Sequence, residues 1–198
     1  MDGKQILPGF EIIALGEHVD YWDRLGWRDP FSSPLFSARQ AEYGQAFKQE
    51  GVYTPQVVVN GQAECLGSDR NSILTAVKAV AKTPRAKAEI RKLAGDRVAI
   101  SVNNFPQGTH ESDILLAIAE DRLESDVQHG ENSGRRLRHV AVVRSLTRLA
   151  RIDPKKNAGY TSEAQVNLNP SWNPGYLKFV LLVQDRTTRG IVAAASVR

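Results

Sequence analysis

Apolar residues fall along this chain in two textures. In the first half they come as short runs alternating with helical stripes. Phe10-Glu11-Ile12-Ile13-Ala14-Leu15-Gly16 is a mostly apolar run ending at a glycine, which predicts a strand buried on both faces of a sheet. An aromatic loop follows, from His18-Val19-Asp20-Tyr21-Trp22-Asp23 through Gly26-Trp27 to Asp29-Pro30. Ser33-Pro34 then supplies an N-cap and a preset first helical residue, and Phe36, Tyr43 and Phe47 share one helical face before Gly51 stops the helix. Val57 to Val59 reads as a strand, and Asn60-Gly61 predicts a type I′ hairpin because both turn positions require positive φ. The chain returns through Gln62 to Leu66. Ser68 or Asp69 caps the next helix, on which Ile73, Leu74, Val77, Val80 and Ala81 recur at the three-and-four spacing of a buried stripe. Thr83-Pro84 breaks that helix and opens another to about Leu93, closed by Gly95.

From Arg97 the pattern changes to short β-like runs: Val98 to Val102, Ile114 to Ala119, Val127 to His129, Leu137 to Val143, Gln165 to Leu168, and Leu177 to Gln184 paired with Gly190 to Val197. Strands separated by turns at this spacing predict a small β-sandwich or a strongly bent sheet. The expected class is α+β, with an α/β domain over residues 1–95 and a β-rich, sandwich-like domain over residues 96–198.

At 198 residues either domain can bury an adequate core. No apolar run reaches the roughly 18 residues that a membrane-spanning helix requires. The net charge of +4 is spread among acidic residues, and the one dense group, Arg135, Arg136 and Arg138 beside His139, reads as a solvated strand end, so neither nucleic acid nor membrane is expected as a partner. Met1 to Phe10 lacks the apolar core of a secretory signal, which by itself predicts a cytoplasmic location. The single cysteine, Cys65, excludes an intramolecular disulfide and is expected to be a small buried apolar residue.

Several separated motifs, in order, carry a resemblance. They are His18-Val19-Asp20-Tyr21-Trp22-Asp23-x-Leu25-Gly26-Trp27-x-Asp29-Pro30-Phe31, Ala38-Arg39-Gln40, Tyr53-Thr54-Pro55-Gln56, Gly67-Ser68-Asp69-Arg70 and Gly130-Glu131-Asn132-x-Gly134 with Val142-Val143-Arg144. Together they resemble the domain of unknown function 1223 family of bacterial secreted, thioredoxin-like proteins, over nearly the whole chain. The resemblance implies an incomplete thioredoxin-like domain, because family members begin with a signal peptide, a first strand and a Cys-x-x-Cys segment that are not found here. It therefore also implies either a start upstream of Met1, the preferred reading, or a real truncation that has lost the redox centre, together with a periplasmic or secreted full-length form and thiol–disulfide oxidoreductase-like activity that this chain lacks. In a complete thioredoxin fold the missing strand lies between Glu11 to Leu15 and Val57 to Val59, so a slot between those two elements is expected.

The same resemblance points to a cis Thr54-Pro55 bond and to a groove for an extended peptide or a protein thiol substrate, bordered by Tyr53, Thr54, Pro55, Gln56, His18, Asp20 and Trp22. A plain trans proline opening an edge strand is the alternative. His18 could assist proton transfer, its ordinary pKa lying near neutrality, or cap buried backbone; Asp20 could do likewise or anchor its loop. Trp22, Trp27 and Tyr21 read as a small satellite core under that loop. A non-catalytic binding or assembly module using this groove is the competing function. No catalytic residue and no cofactor is expected. No metal is expected either, since a soft-metal site would need His18 or His139 close to Cys65 and no local spacing places them there.

Overall fold

The computed structural model describes residues 11–129 and 133–198. Phe10, the Met1–Phe10 targeting reading and Gly130-Glu131-Asn132 of the motif lie outside the described residues. In chain order the elements are α1 (Pro34–Ala46), β1 (Gln56–Val59), β2 (Ala63–Leu66), α2 (Arg70–Val80), β3 (Lys87–Leu93), β4 (Arg97–Asn103), β5 (Ser112–Glu120), β6 (Leu123–Asp126), β7 (Arg136–His139), β8 (Val142–Ile152), β9 (Gly159–Gln165), β10 (Leu177–Asp185) and β11 (Ile191–Val197). Among the described residues the fold is mixed α/β, with two α-helices and several antiparallel sheets.

The apolar runs Ile114 to Ala119 and Leu177 to Val183 become β5 and β10, the middle strands of a four-stranded sheet ordered β11-β10-β5-β8. Both strands are buried along almost their whole length, which is why they read as continuous apolar segments and not as alternation. On one side, Ile114, Leu116, Ile118, Phe179, Leu181 and Val183 pack against Ile90, Val98, Ile100 and Val102 of a three-stranded sheet ordered β3-β4-β9. That outer sheet alternates buried and exposed residues, as expected of a sheet with one wet face. On the other side, Leu115, Ala117, Val143, Val180, Leu182 and Ile191 meet Phe36 of α1, with Ile13 and Leu15 beside it.

Helix α1 starts as its sequence dictates: Ser33 is extended at the N-cap and its hydroxyl accepts the Leu35 N–H at 3.2 Å. Asp69 caps α2 in the same way, accepting from Asn71 and Ser72 N–H. The β1–β2 hairpin turns at Asn60 and Gly61, with φ of 52° and 63°.

Five expectations are corrected. Glu11 to Leu15 does not form a ladder; only Gly16 pairs, as one parallel bridge to Val142, because the neighbouring sheet edge is reached at that single residue. The segment expected as a helix up to Leu93 is strand β3, since the stronger constraint is its full register with β4 around the turn at Asp96. Residues 127–129 follow β6, which lies at Leu123–Asp126. The run from Leu137 to Val143 splits into β7 and β8 at Ala141, whose φ of 52° turns the backbone out of a single strand. Strand β9 ends where a strand from Gln165 to Leu168 was expected to begin. The β-rich texture therefore starts at Lys87, and the β3–β4 turn straddles residue 95.

Gly61 sits where a side chain has no room: a Cβ there would lie 2.1 Å from the Arg189 carbonyl oxygen, in a backbone conformation that already disfavours L-residues. Gly61→Ala is expected to lower stability by about 2 kcal/mol or more, seen as a lower urea midpoint with unchanged slope; an unchanged midpoint would contradict the close approach of the hairpin to residues 189–190.

Candidate functional site

Between the segment Glu11–Val19 and strand β1 opens a cleft of about 1440 Å³. Ile13 and Leu15 line one wall; Val57, Val58 and Val59 line the opposite wall, backed by Ile73 and Val77 of α2. Leu182, Ile191 and Ala194 of the four-stranded sheet form part of its floor. Glu11 to Leu15 and Val57 to Val59 do not pair with each other, and among the described residues β1 has a ladder partner only in β2. The apolar stripe of α2 explains itself here: Ile73 and Val77 are only half-buried because they face the cleft, and Val80 alone of that stripe is fully covered.

At the mouth of the cleft the Thr54-Pro55 bond is cis. Gly67 crosses Pro55 closely, its N–H donating to the Pro55 carbonyl at 2.7 Å, and a Cβ on Gly67 would come within 2.9 Å of the proline ring. Thr54 Oγ1 accepts from the indole N–H of Trp22 at 2.9 Å, joining the aromatic loop to the β1 side. Trp22 is 52% exposed, so it is not part of a satellite core; its indole lies over the cleft mouth because its one polar atom is held by Thr54. Tyr21 instead donates to Gln40 Oε1 at 2.9 Å. Gln40 Nε2 donates to the Tyr53 carbonyl and to Gln56 Oε1, at 2.8 and 3.0 Å, and Gln56 also lines the cleft. The Tyr53 hydroxyl donates to Glu64 across the hairpin and does not face the cleft.

His18 and Asp20 separate in role. Asp20 anchors its loop to α1, its N–H donating to Ser37 Oγ at 3.0 Å while its carboxylate accepts from the same hydroxyl. His18 lines the cleft, and its Nδ1 donates to Asp29 Oδ2 at 2.6 Å. Burial works to raise the Asp29 carboxyl, but the hydrogen bonds from His18 and the Phe31 N–H and the two nearby imidazoles hold it below the usual aspartate value. His139 of β7 comes next to His18, ring centroids 5.2 Å apart, and its Nε2 shares a hydrogen bond of 2.7 Å with Ser125 Oγ of β6. Nothing local in the sequence announces this pairing, because the partners lie on a loop and a hairpin far apart in the chain.

A buried polar cluster fixes the helix side of the cleft. Arg39, only 7% exposed, donates to Glu17 at 3.1 Å, to Gln184 Oε1 at 2.7 Å and to the Tyr43 hydroxyl at 3.0 Å. Gln184 returns a bond to Tyr43 and another to the Arg189 carbonyl. Burial pushes the Glu17 carboxyl up despite the Arg39 charge. Cys65 is half-buried on β2, opposite Val57, and burial, Glu64 and Asp69 all push its thiol up. It is free and is the opposite of an activated thiolate. Among the described residues no group of three or more His, Cys, Asp or Glu side chains is arranged to hold a metal ion.

Residues 3–184 match the family described as Protein of unknown function (DUF1223). Among solved structures, the chain is similar to a crystallised protein from Agrobacterium tumefaciens, with TM-score 0.69 and 23% identity, covering 92% of this chain and 78% of that one. It is also similar to HBP35 of Porphyromonas gingivalis, with TM-score 0.56 and 12% identity, covering 81% of this chain and 59% of that one. At these identities the likeness is one of fold. No curated protein matches the chain.

Two outcomes follow from this geometry. Cys65 is expected to react with an aromatic disulfide reagent at pH 7 several-fold more slowly than free cysteine; a faster reaction would contradict its raised thiol pKa. Arg39→Met strands Glu17 and the Gln184 carbonyl oxygen, and is expected to cost about 3 kcal/mol of unfolding free energy in a urea titration; a loss below about 1 kcal/mol would show that the cluster contributes no more than a surface pair.

Proposed function

The chain belongs to the DUF1223 family, and we propose that it is a non-catalytic binding module whose cleft accepts an extended polypeptide segment as an added strand. The observation that carries this reading is the pair of backbone segments, Glu11–Leu15 and Val57–Val59, that line one cleft without pairing to each other. Backbone donors and acceptors left at such edges are satisfied by strand addition, which gives main-chain hydrogen bonds together with side-chain pockets on both faces. Apolar lining above and below the slot, from Ile73 and Val77 on one side and Leu182 and Ile191 on the other, suits an occupant apolar on both faces. The reading includes a thioredoxin-like first half in which the occupant takes the place of a first strand. An oxidoreductase activity would need cysteines carried by another polypeptide segment, since the only cysteine here has a thiol driven away from the thiolate.

The test is binding of a fluorescein-labelled peptide, Lys-Val-Thr-Val-Ile-Val-Thr-Lys, followed by anisotropy. Saturable binding is expected, and methylating one ladder-forming backbone nitrogen is expected to weaken it about fivefold, the equivalent of one hydrogen bond of ~1 kcal/mol. Equal affinity for peptides methylated at each position in turn would mean that apolar contact, and not strand pairing, holds the peptide, and the proposal would fall.

A further inference from the structure

We propose that His18 and His139 form a pH-sensitive latch between two walls of the cleft, closed near neutral pH and released on mild acidification. This rests on the reading that the cleft holds a polypeptide occupant.

His18, Asp29 and Phe31 belong to the aromatic loop, and the loop contributes His18, Val19, Trp22 and Asp29 to the cleft. His139 and Ser125 belong to the β6–β7 hairpin; Val127 and His129 beyond β6, and Leu137 of β7, line the cleft. The hairpin runs on from the β5–β8 ladder and is tied at its base by backbone bonds between Gly16 and residues 141 and 143; beyond that base β6 and β7 pair only with each other among the described residues, so side-chain contacts to the loop bear on where its outer part sits. Those contacts include the two imidazoles: both rings stand edge-on to Phe31, at 5.8 and 5.2 Å, and 5.2 Å from each other. Loop and hairpin are thus joined by an aromatic triad in which two members can acquire charge.

The surrounding charges leave little to neutralise a second cation. Asp29 is bonded to His18. Arg144 of β8 lies over the Phe31 ring, 5.0 Å from its centroid, and is paired with Glu120 at 3.6 Å. On the hairpin Glu124 is engaged by Arg136 and Arg138, and Asp121 is engaged by Arg198 and the Ala141 N–H. A proton on His139 therefore adds positive charge beside His18, with one shared carboxylate, Asp29, within the cluster. Burial, and then the His18 charge, hold the His139 pKa below its ordinary value, with Asp29 opposing. For a base depressed in the folded state, the unfolded or opened form binds the proton more readily. The closed arrangement is thus fully favoured above the ordinary histidine range and loses that advantage as pH falls through it toward the lowered value.

The decisive measurement is an NMR titration of the full chain between neutral and mildly acidic pH, following the His139 ring protons and the methyl groups of Val127, Leu137 and Leu15. The methyl shifts are expected to move with the His139 midpoint, and that midpoint to rise in His18→Asn, which keeps a donor to Asp29 but removes the second imidazole. In His139→Gln, which can still bond Ser125, the methyl response is expected to vanish. Methyl groups that stay still while His139 titrates, or a His139 midpoint unmoved by His18→Asn, would overturn the latch. The labelled peptide used above is expected to bind several-fold more weakly at the acidic end in the wild type and equally at both ends in His139→Gln; a wild-type affinity independent of pH would overturn it too. If the peptide binds at no pH, the strand-accepting reading fails while the methyl titration still decides the latch.

Discussion

The four-stranded sheet β11-β10-β5-β8 needs cover on both faces, and the rest of the structure follows from how that cover is supplied. Its two middle strands carry apolar side chains in both directions, so water must be excluded from each side. The sheet β3-β4-β9 covers one face. The other face receives α1 through Phe36 and a length of extended chain through Ile13 and Leu15, and this cover is partial. Where it stops, Leu182, Ile191 and Ala194 become the floor of the cleft. The candidate site is thus the part of that layer left open among the described residues, bounded by elements that are themselves well anchored.

That anchoring is polar. Arg39 on α1 reaches Gln184 on β10 and Glu17 before the loop, so one guanidinium ties helix, sheet and N-terminal segment together. A buried charge of this kind contributes less to stability than apolar packing of the same volume would, yet it tolerates few alternative geometries. It places the wall bearing Leu15 and Glu17 at a defined distance from the helix. Opposite, Gly61 and Gly67 let the β1–β2 hairpin press against residue 189 and Pro55, which fixes the second wall. Two walls held by different means, with space between, give a preformed slot, and preformed sites avoid the ordering cost that weakens binding by flexible segments.

The cleft also has a third side, the β6–β7 hairpin, attached by contacts of another character. The imidazoles of His18 and His139 are packed there as aromatic rings, and burial holds the His139 imidazole below its ordinary pKa. On the Arg39 side the titratable neighbour is Glu17, whose carboxyl burial pushes up while the Arg39 guanidinium opposes the shift.

Much of this was legible in local pattern. Ser33-Pro34, Asp69 and Asn60-Gly61 announce two helix starts and one hairpin through the backbone hydrogen bonds and φ values that those residue types favour. The continuous apolar runs of β5 and β10 and the alternation of β4 likewise state how many faces each strand buries. Residues 84–93 misled because a Pro-opened segment with mixed charges satisfies a helix locally, while pairing with β4, a nonlocal gain, decides for a strand. Trp22 misled because aromatic content says nothing about which way a loop is turned. The sequence alone determined the elements whose stabilising bonds close within a few residues. Only the tertiary structure decided that Arg39 meets Gln184, that His18 meets His139, and that Glu11–Leu15 stands apart from Val57–Val59, because each depends on where the central sheet places distant segments and on the face it leaves uncovered.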